Sequence, residues 1–327
     1  MTISATDPIT RAIERAKLIT FQPFDFGKWF VLGFCAFLAS LDEGGSFNFN
    51  GISNPFGGGR TGGGPMTATT QPAALWDDFT SWISTHRFET ALIAIAFVLT
   101  IVVISLVVLW LNSRGKFMFI DCIAKNTAEV IAPWKRYRQL GNSLFAFRVC
   151  LSAISFLAML VIAGIALLLA WNDIQAKTFG SGAISAIIAG VVLMVPTFLV
   201  LGLIQWCTVT FVTPIMYVRD ATVLPAWREF RQVIVPGNVG SLILFLLMSI
   251  VLGIAVGIGR GLLGCLTLCI GFLPYLSSVV TLPLAIFMRS YSIYFLQQFG
   301  PQYVIMNDPP AGFGFPVIMP PMPPVVG

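Results

Sequence analysis

Six long apolar runs limit this chain to one broad fold class. A spanning helix needs about 20 predominantly apolar residues, and all of the runs except the first reach that length. Only 10% of the residues are charged and 57% are hydrophobic, whereas roughly a quarter are charged in ordinary soluble domains. The sequence therefore predicts an all-α integral membrane protein with six transmembrane helices. We place them near residues 26–41, 89–111, 144–171, 183–213, 238–258 and 274–299.

A short phrase occurs twice and indicates an internal repeat. It reads PWKRYRQLGN at residues 133–142 and PAWREFRQVIVPGN at 225–238, and an apolar run follows each copy. Amphipathic segments precede the first, third and fifth runs, so we predict interfacial helices on the cytoplasmic side. The chain is then built from about three helix-plus-hairpin units, near 7–111, 116–218 and 220–299.

The amphipathic segments supply the predicted contacts with the membrane surface. At the N-terminus, an apolar stripe recurs at helical spacing, formed by Ile9, Ala12, Ile13, Ala16 and Ile19. The opposite, largely basic face carries Arg11, Glu14, Arg15 and Lys17. Trp29, Trp134 and Trp227 are predicted to anchor the chain at the interface. Within the repeated phrase, Tyr137 and Phe230 should face the membrane.

The distribution of basic residues predicts the orientation. With six spans, fifteen of the 19 Lys and Arg residues, including Lys116 and Arg289, fall on one side. Four fall on the other side, among them Arg260. The positive-inside rule makes the first side cytoplasmic and places both termini there.

Three segments differ from the spans. A membrane domain covers residues 1–299, and its Gly-rich outer loop at 42–74 should be flexible. The tail at 300–327 is rich in proline and should be disordered. Residues 262–272 are apolar but short, and they form either a re-entrant turn or the continuation of a neighbouring helix.

The sequence offers little sign of catalysis. His86 is the single histidine, which argues against a histidine-dependent triad or a zinc site with several imidazoles. No phosphate-binding loop or HExxH motif occurs. We therefore expect a protein that is not an enzyme, with no catalytic residues, no metal, no cofactor and no nucleic-acid partner.

Charges inside or beside the apolar runs are the candidate functional residues. Arg148 and Arg289 lie within runs, while Arg219 and Asp220 end the fourth run. Charged groups at such positions are costly, so they mark candidate sites by default. They either extend to the lipid phosphates or converge on one site for an anion or a lipid headgroup, with Asp121 and Asp220 as the natural protein partners.

Three segments resemble a broad group of uncharacterised bacterial membrane proteins. They are RAIERAKLITFQPFDFGKWFVLGF, APWKRYRQLGNSLF and LPYLSSVVTLPLAIFMRSYSIYFLQQFGP. The layout is similar to the membrane domain of glycerophosphoryl diester phosphodiesterases, whose catalytic domain is absent here. The resemblance implies a multi-pass helical module in the bacterial inner membrane, and it carries over no functional residue.

Together these features predict a non-enzymatic membrane module. Its basic, aromatic-rimmed cytoplasmic face would engage membrane lipids, in particular anionic ones, or a partner protein. The alternative is a transporter or channel-like protein with a cytoplasmic anion-binding vestibule. No run carries a carboxylate at its centre, which counts against ion-coupled transport.

Overall fold

A computed structural model describes residues 3–22, 24–41, 86–176, 178, 180–266 and 274–306. The predicted outer loop at 42–74 and most of the tail lie outside these residues. The described chain is helical and contains no strand. Its α-helices are α1 Asp7–Phe21, α2 Phe26–Ser40, α3 Arg87–Lys125, α4 Ile131–Arg136, α5 Arg138–Ala176, α6 Ser181–Cys207, α7 Thr213–Arg219, α8 Val223–Glu229, α9 Val239–Leu266, α10 Pro274–Val280 and α11 Leu282–Gln297.

Short turns of other helix types complete the chain. A π-helical turn at Thr208–Val212 joins α6 to α7, so that Ser181–Arg219 runs as one continuous helix. A second π turn, Phe230–Ile234, follows α8, and a 3₁₀ turn covers Pro301–Tyr303. Helix α9 continues to Leu266, and residues 267–273 of the predicted re-entrant segment lie outside the described chain.

Four of the described helices are long and apolar enough to cross a membrane. They are Phe88–Lys125, Arg138–Ala176, Ser181–Arg219 and Val239–Leu263. At 1.5 Å per residue, a helix of 39 residues is roughly 58 Å long, well beyond a hydrocarbon layer of about 30 Å. For the described residues, the structure confirms the prediction of an all-α protein with several helices that could span a membrane.

The surface of these helices supports the same conclusion. Large apolar side chains are exposed along α3, α5, α6 and α9, for instance Leu168 at 77% and Phe198 at 74%. Monomeric soluble proteins rarely expose continuous apolar patches of this kind. Several described helices therefore present a surface suited to lipid, as in a multi-pass membrane protein.

The first predicted run forms the shorter helix α2, which lies beside the C-terminal third of α3. Lys28 near its start donates a hydrogen bond to Oδ1 of Asn126 at 2.8 Å. Near its end, the carbonyls of Leu38 and Ala39 accept from Nδ2 of Asn112 at 3.0 and 2.7 Å. Helix α2 is thus placed beside residues 112–126, not beside the apolar stretch before them. Helix α3 itself runs without a break across the predicted boundary between the first two units.

The last predicted run is divided into α10 and α11. The break lies at Thr281, and Pro283 at the start of α11 has no N–H to continue the hydrogen-bond pattern of α10. Residues 290–296 of α11 are buried. Tyr291 donates to the carbonyl of Ala5 at 3.0 Å, and the amide of Gln298 exchanges two hydrogen bonds with the backbone of Ser4.

Helix α1 packs on protein, and the predicted position of Arg15 is wrong. Of the predicted apolar stripe, Ala12, Ala16 and Ile19 are buried and Ile9 is half-buried, whereas Ile13 is exposed. Arg15 was expected on the basic outer face, but it is buried, and its Nη2 donates to the carbonyls of Ile123 and Ala124 at 2.6 and 2.9 Å. These carbonyls end α3, where the helix dipole favours a cation.

Candidate functional site

Residues of the first copy of the repeated phrase contact Arg114 of α3, together with Trp110 of α3 itself. The guanidinium lies 4.3 Å from the ring centroid of Trp110 and 4.9 Å from that of Trp134. It also donates a hydrogen bond to Oδ1 of Asn142 at 2.9 Å. A Cβ atom on Gly141 would lie 2.7 Å from Cγ of Arg114, so glycine permits this close approach. The phrase therefore fastens the start of α5 to α3.

The second copy packs through aromatic rings instead. Trp227 meets Phe230 edge-on at 5.6 Å between centroids and lies 6.3 Å from Phe147. Phe230 stacks on Phe211 at 5.2 Å. Tyr137 and Phe230 are only 7% and 5% exposed, so the expectation that they face the membrane is wrong. Both side chains lie in the protein core, where Tyr137 donates a hydrogen bond to Asp121 and Phe230 stacks on Phe211.

The predicted anchors are all half-buried. Trp134 and Trp227 hold the contacts just described, and Trp29 donates from Nε1 to the carbonyl of Val279 at 2.8 Å. Each indole thus packs against protein on at least one side. An interfacial position for their remaining surface stays a prediction.

Asp121 is the acceptor for two tyrosines, the buried Tyr137 and the half-buried Tyr217. Tyr137 and Tyr217 both donate to its Oδ1 at 2.8 Å, and Lys125 lies 2.7 Å from the same atom. Burial is the main cause that raises the pKa of Tyr137 to about 12. Asp121, which the sequence suggested as a partner for Arg289, is thus bound by Tyr137, Tyr217 and Lys125.

Arg219 forms an ion pair at the surface. Its Nε and Nη2 donate to Oε1 of Glu229 at 3.1 and 2.8 Å, and Tyr303 donates to the same oxygen at 2.8 Å. Burial, followed by this hydrogen bond, raises the pKa of Tyr303. Asp220 is exposed and ends α7 with a left-handed φ of 49°.

Arg148 is buried, with 2% of its surface exposed, and binds amide oxygens. Its Nη1 donates to Oδ1 of Asn112 at 2.6 Å. With its oxygen turned toward the guanidinium, the amide of Gln205 accepts from Nη2 and Nε at 2.7 and 3.0 Å. Because Asn112 also donates to the end of α2, Arg148 belongs to a network that joins α2, α3, α5 and α6.

Arg289 contacts the π turn in the continuous helix α6–α7. The N–H of Thr213 bonds to the carbonyl of Thr208, five residues earlier. In that pattern the carbonyl of Val209 would pair with residue 214, which is proline and has no N–H. Nη1 of Arg289 donates to the carbonyl of Val209 at 2.8 Å and replaces the missing bond.

Arg289 also lines a partly open cavity of about 450 Å³, bordered by α2, α3, α6 with its π turn, α9 and α11. Lys116, Arg260 and Arg289 contribute three basic side chains, and we call this space the cationic cavity. Lys116 is buried and donates to the carbonyl of Ala39 at 3.2 Å. None of the described residues that line the cavity is an Asp or a Glu. Ser40, Gln205, Thr210, Ser249 and Ser292 add polar groups.

The cavity brings together charges that the sequence assigned to different sides. Lys116 and Arg289 were counted as cytoplasmic and Arg260 as external, yet all three line one space. The four predicted site residues have separate surroundings: Arg289 lines the cavity, Arg148 contacts Gln205 on its wall, and Arg219 and Asp220 lie at the exposed end of α7.

Sequence reasoning missed Lys116, Arg260 and Gln205 as site residues. Gln205 carried a usable signal, because an amide inside an apolar run must find a partner. Lys116 and Arg260 carried none, since both were counted only as charges flanking predicted spans.

A second space of about 470 Å³ lies beside the cationic cavity. It is bounded by Leu109 of α3 and by α5 and α6, and its lining is mostly apolar. Arg148 and Gln205 lie at one end of this apolar groove. Gly202 and Gln205 line both spaces.

Comparison with known proteins places the chain in a family. In the described part of the chain, no group of three or more His, Cys, Asp and Glu residues is arranged to hold a metal ion. No curated protein and no solved structure matches the chain. Residues 3–276 match the model of a family described as "Family of unknown function (DUF7544)". The match covers most of the chain, which therefore belongs to this family of unknown function.

Proposed function

We propose that this chain is a non-enzymatic membrane module that binds an anionic lipid, with the phosphate of the headgroup in the cationic cavity. One observation carries the proposal: three basic side chains line a cavity whose described lining has no carboxylate. Like charges that line one partly buried space repel one another, and a bound anion would offset that repulsion. The guanidinium groups of Arg260 and Arg289 offer planar sets of donors that suit phosphate.

The surroundings of the cavity favour a lipid as the source of the anion. Gly202 on its wall is flanked along α6 by Leu199 and Leu203, which are 64% and 49% exposed on the apolar surface. A headgroup in the cavity could therefore remain attached to acyl chains beside α6. A small inorganic anion would use the charges but not this apolar surface.

The proposed setting is the bacterial inner membrane, with both termini in the cytoplasm. The excess of basic residues on one side of the predicted spans supports this orientation. The four long helices are the spans that this proposal takes from the structure, and the two further spans at 26–41 and 274–299 are proposed from the sequence alone. The basic, aromatic-rimmed surface around the phrase at 133–142 remains a proposed face for lipid or for a partner protein.

The experiment is lipid retention measured by native mass spectrometry. The wild type is purified from nanodiscs of equal phosphatidylglycerol and phosphatidylethanolamine, beside Arg289→Gln and a control, Arg231→Gln. Arg231 is exposed and its substitution removes the same charge outside the cavity. We expect the wild type and control to retain phosphatidylglycerol. Arg289→Gln should bind it roughly tenfold more weakly, since one charged hydrogen bond is worth about 1.5 kcal/mol or more.

Two results would overturn the proposal. Equal retention of both lipids by the wild type would remove the anionic preference, and equal loss in Arg289→Gln and Arg231→Gln would move the effect from the cavity to general surface charge. If no lipid is retained and the protein instead carries phosphate across liposomes, the anion-transporter alternative is supported. Thermal unfolding of each variant shows whether the fold is kept.

A further inference from the structure

The cationic cavity and the apolar groove share one wall, formed by α6. Met194, Phe198 and Leu201 line the groove, Gly202 and Gln205 line both spaces, and Trp206 lines the cavity. Residues three and four apart lie on the same face of a helix. The groove and the cavity therefore adjoin along neighbouring faces of α6, and they meet at Gly202 and Gln205.

The groove is longer than the hydrocarbon depth of one leaflet. Along α5 it extends from Arg148 to Ile162, which is roughly 21 Å at 1.5 Å per residue. One leaflet supplies about half of a 30 Å hydrocarbon layer, or roughly 15 Å. A single extended acyl chain thus fits the groove lengthwise.

Two of the hydroxyl groups in the lining of the groove are already hydrogen-bonded. The hydroxyl of Ser155 donates to the carbonyl of Leu151 at 2.9 Å, and that of Thr197 donates to the carbonyl of Leu193 at 2.7 Å. These hydroxyls have partners within their own helices. Hydrocarbon can therefore lie against them without leaving their donors unpaired.

Gly202 borders both spaces and has open space around it. A Cβ atom built at this position would meet no atom within 4 Å. A larger side chain can therefore enter the space without striking the protein. The same holds for Gly190, which lies on the same helix and lines neither space.

We infer that the apolar groove seats one acyl chain of the phospholipid whose headgroup occupies the cationic cavity, with Gly202 as the passage between them. This inference rests on the proposed function and specifies its ligand. The ligand is a glycerophospholipid with an anionic headgroup and a long acyl chain, and neither a free headgroup nor a short-chain lipid fills the whole site.

The test compares ligands of one headgroup and different chain length. Binding of dipalmitoyl phosphatidylglycerol, dihexanoyl phosphatidylglycerol and glycerol phosphate is measured by native mass spectrometry for the wild type, Gly202→Leu and Gly190→Leu. We expect the wild type and Gly190→Leu to prefer the long-chain lipid by roughly tenfold, or about 1.4 kcal/mol. Gly202→Leu should lose most of that preference.

A second pair of variants keeps the inference testable if Gly202→Leu does not fold. Met194→Trp fills the groove far from the cavity, and Val195→Trp is its neighbour outside the groove. Met194→Trp should weaken binding of the long-chain lipid and leave glycerol phosphate binding unchanged. Val195→Trp should alter neither.

The outcomes separate the two proposals. If phosphatidylglycerol binds in preference to phosphatidylethanolamine but without dependence on chain length, the groove is not the acyl-chain site and the proposed function stands. If both glycine variants, or both tryptophan variants, behave alike, the inference is also wrong. If no ligand shows an anionic preference, the proposed function fails and the inference fails with it.

Discussion

Replacing Gly115 by alanine is expected to separate α2 from α3. A Cβ atom at Gly115 would lie 2.6 Å from Cβ of Leu38, 2.7 Å from the carbonyl carbon of Leu38 and 2.8 Å from the backbone nitrogen of Ala39. Two of these three atoms belong to the backbone of α2, so no side-chain rotation relieves the contact. Helix α2 must move by several tenths of an ångström to restore ordinary van der Waals distances.

The magnitude follows from opposing effects. Alanine favours a helix over glycine by about 0.8–1.0 kcal/mol. Overpacking of a tight contact costs about 1–3 kcal/mol, and the movement stretches the hydrogen bonds from Asn112 and Lys116 to α2. Each of these bonds contributes about 0.5–1.5 kcal/mol, or more for the charged Lys116. We expect a net loss of about 2 kcal/mol in the free energy of unfolding.

The assay is equilibrium unfolding in mild detergent, with Gly164→Ala as the control. Gly164 lies inside α5, and a Cβ atom there meets nothing within 4 Å. Gly164→Ala should leave stability unchanged or raise it by up to about 1 kcal/mol. If Gly115→Ala and Gly164→Ala unfold at the same denaturant concentration, the close α2–α3 contact is wrong. Because Ala39 and Lys116 line the cationic cavity, Gly115→Ala should also retain less phosphatidylglycerol.

Two further predictions concern pH and orientation. Burial raises the pKa of Tyr137 from 10.0 to about 12, so its contribution to stability is complete below pH 10 and is lost as pH rises through about 12. Tyr137→Phe should therefore lose less stability than the wild type over this range in unfolding measured against pH, and an unchanged slope would refute the assignment. For orientation, Lys135→Cys and Gln175→Cys place thiols at exposed positions on opposite sides of the predicted membrane. An impermeant maleimide should label Gln175→Cys in intact cells and Lys135→Cys only after lysis; the reverse pattern would invert the orientation.

The sequence predicted the long helices because their composition allows few alternatives. In hydrocarbon, backbone groups must pair internally, so a long apolar run becomes a helix. It could not assign the run at 26–41 with equal certainty, since a short apolar helix suits a protein core as well as a membrane. The run at 274–299 has the length of a span, but the structure divides it into two helices. In the structure, Asn112 and Asn126 hold α2 beside the polar end of α3. The break at Thr281 and Pro283 gives α11 a largely buried place beside α1.

The candidate site was predictable only in part, for a similar reason. The cost of a charge in an apolar run identified Arg148 and Arg289 from sequence alone. Their partners depend on packing between distant segments: Arg148 binds Asn112 and Gln205, and Arg289 binds a carbonyl that the π turn and a proline leave available. The count of basic residues on each side of the membrane also assigned Arg260 to the side opposite Lys116 and Arg289. The cavity exists because α9 brings Arg260 to the same space.

Two buried arginines, Arg114 and Arg148, differ from the half-buried Arg289 in what surrounds them, and this difference separates a structural role from binding. Arg114 has two indole faces and an amide oxygen, and Arg148 has two amide oxygens. Those contacts offset part of the cost of burial and join helices, so these residues are well explained as structural. Arg289 shares a 450 Å³ cavity with Lys116 and Arg260, and the described lining provides hydroxyl and amide groups but no carboxylate. A ligand that binds only the folded state adds to its stability by mass action. An anion bound in this cavity would therefore stabilise the folded state in which Lys116, Arg260 and Arg289 line one space.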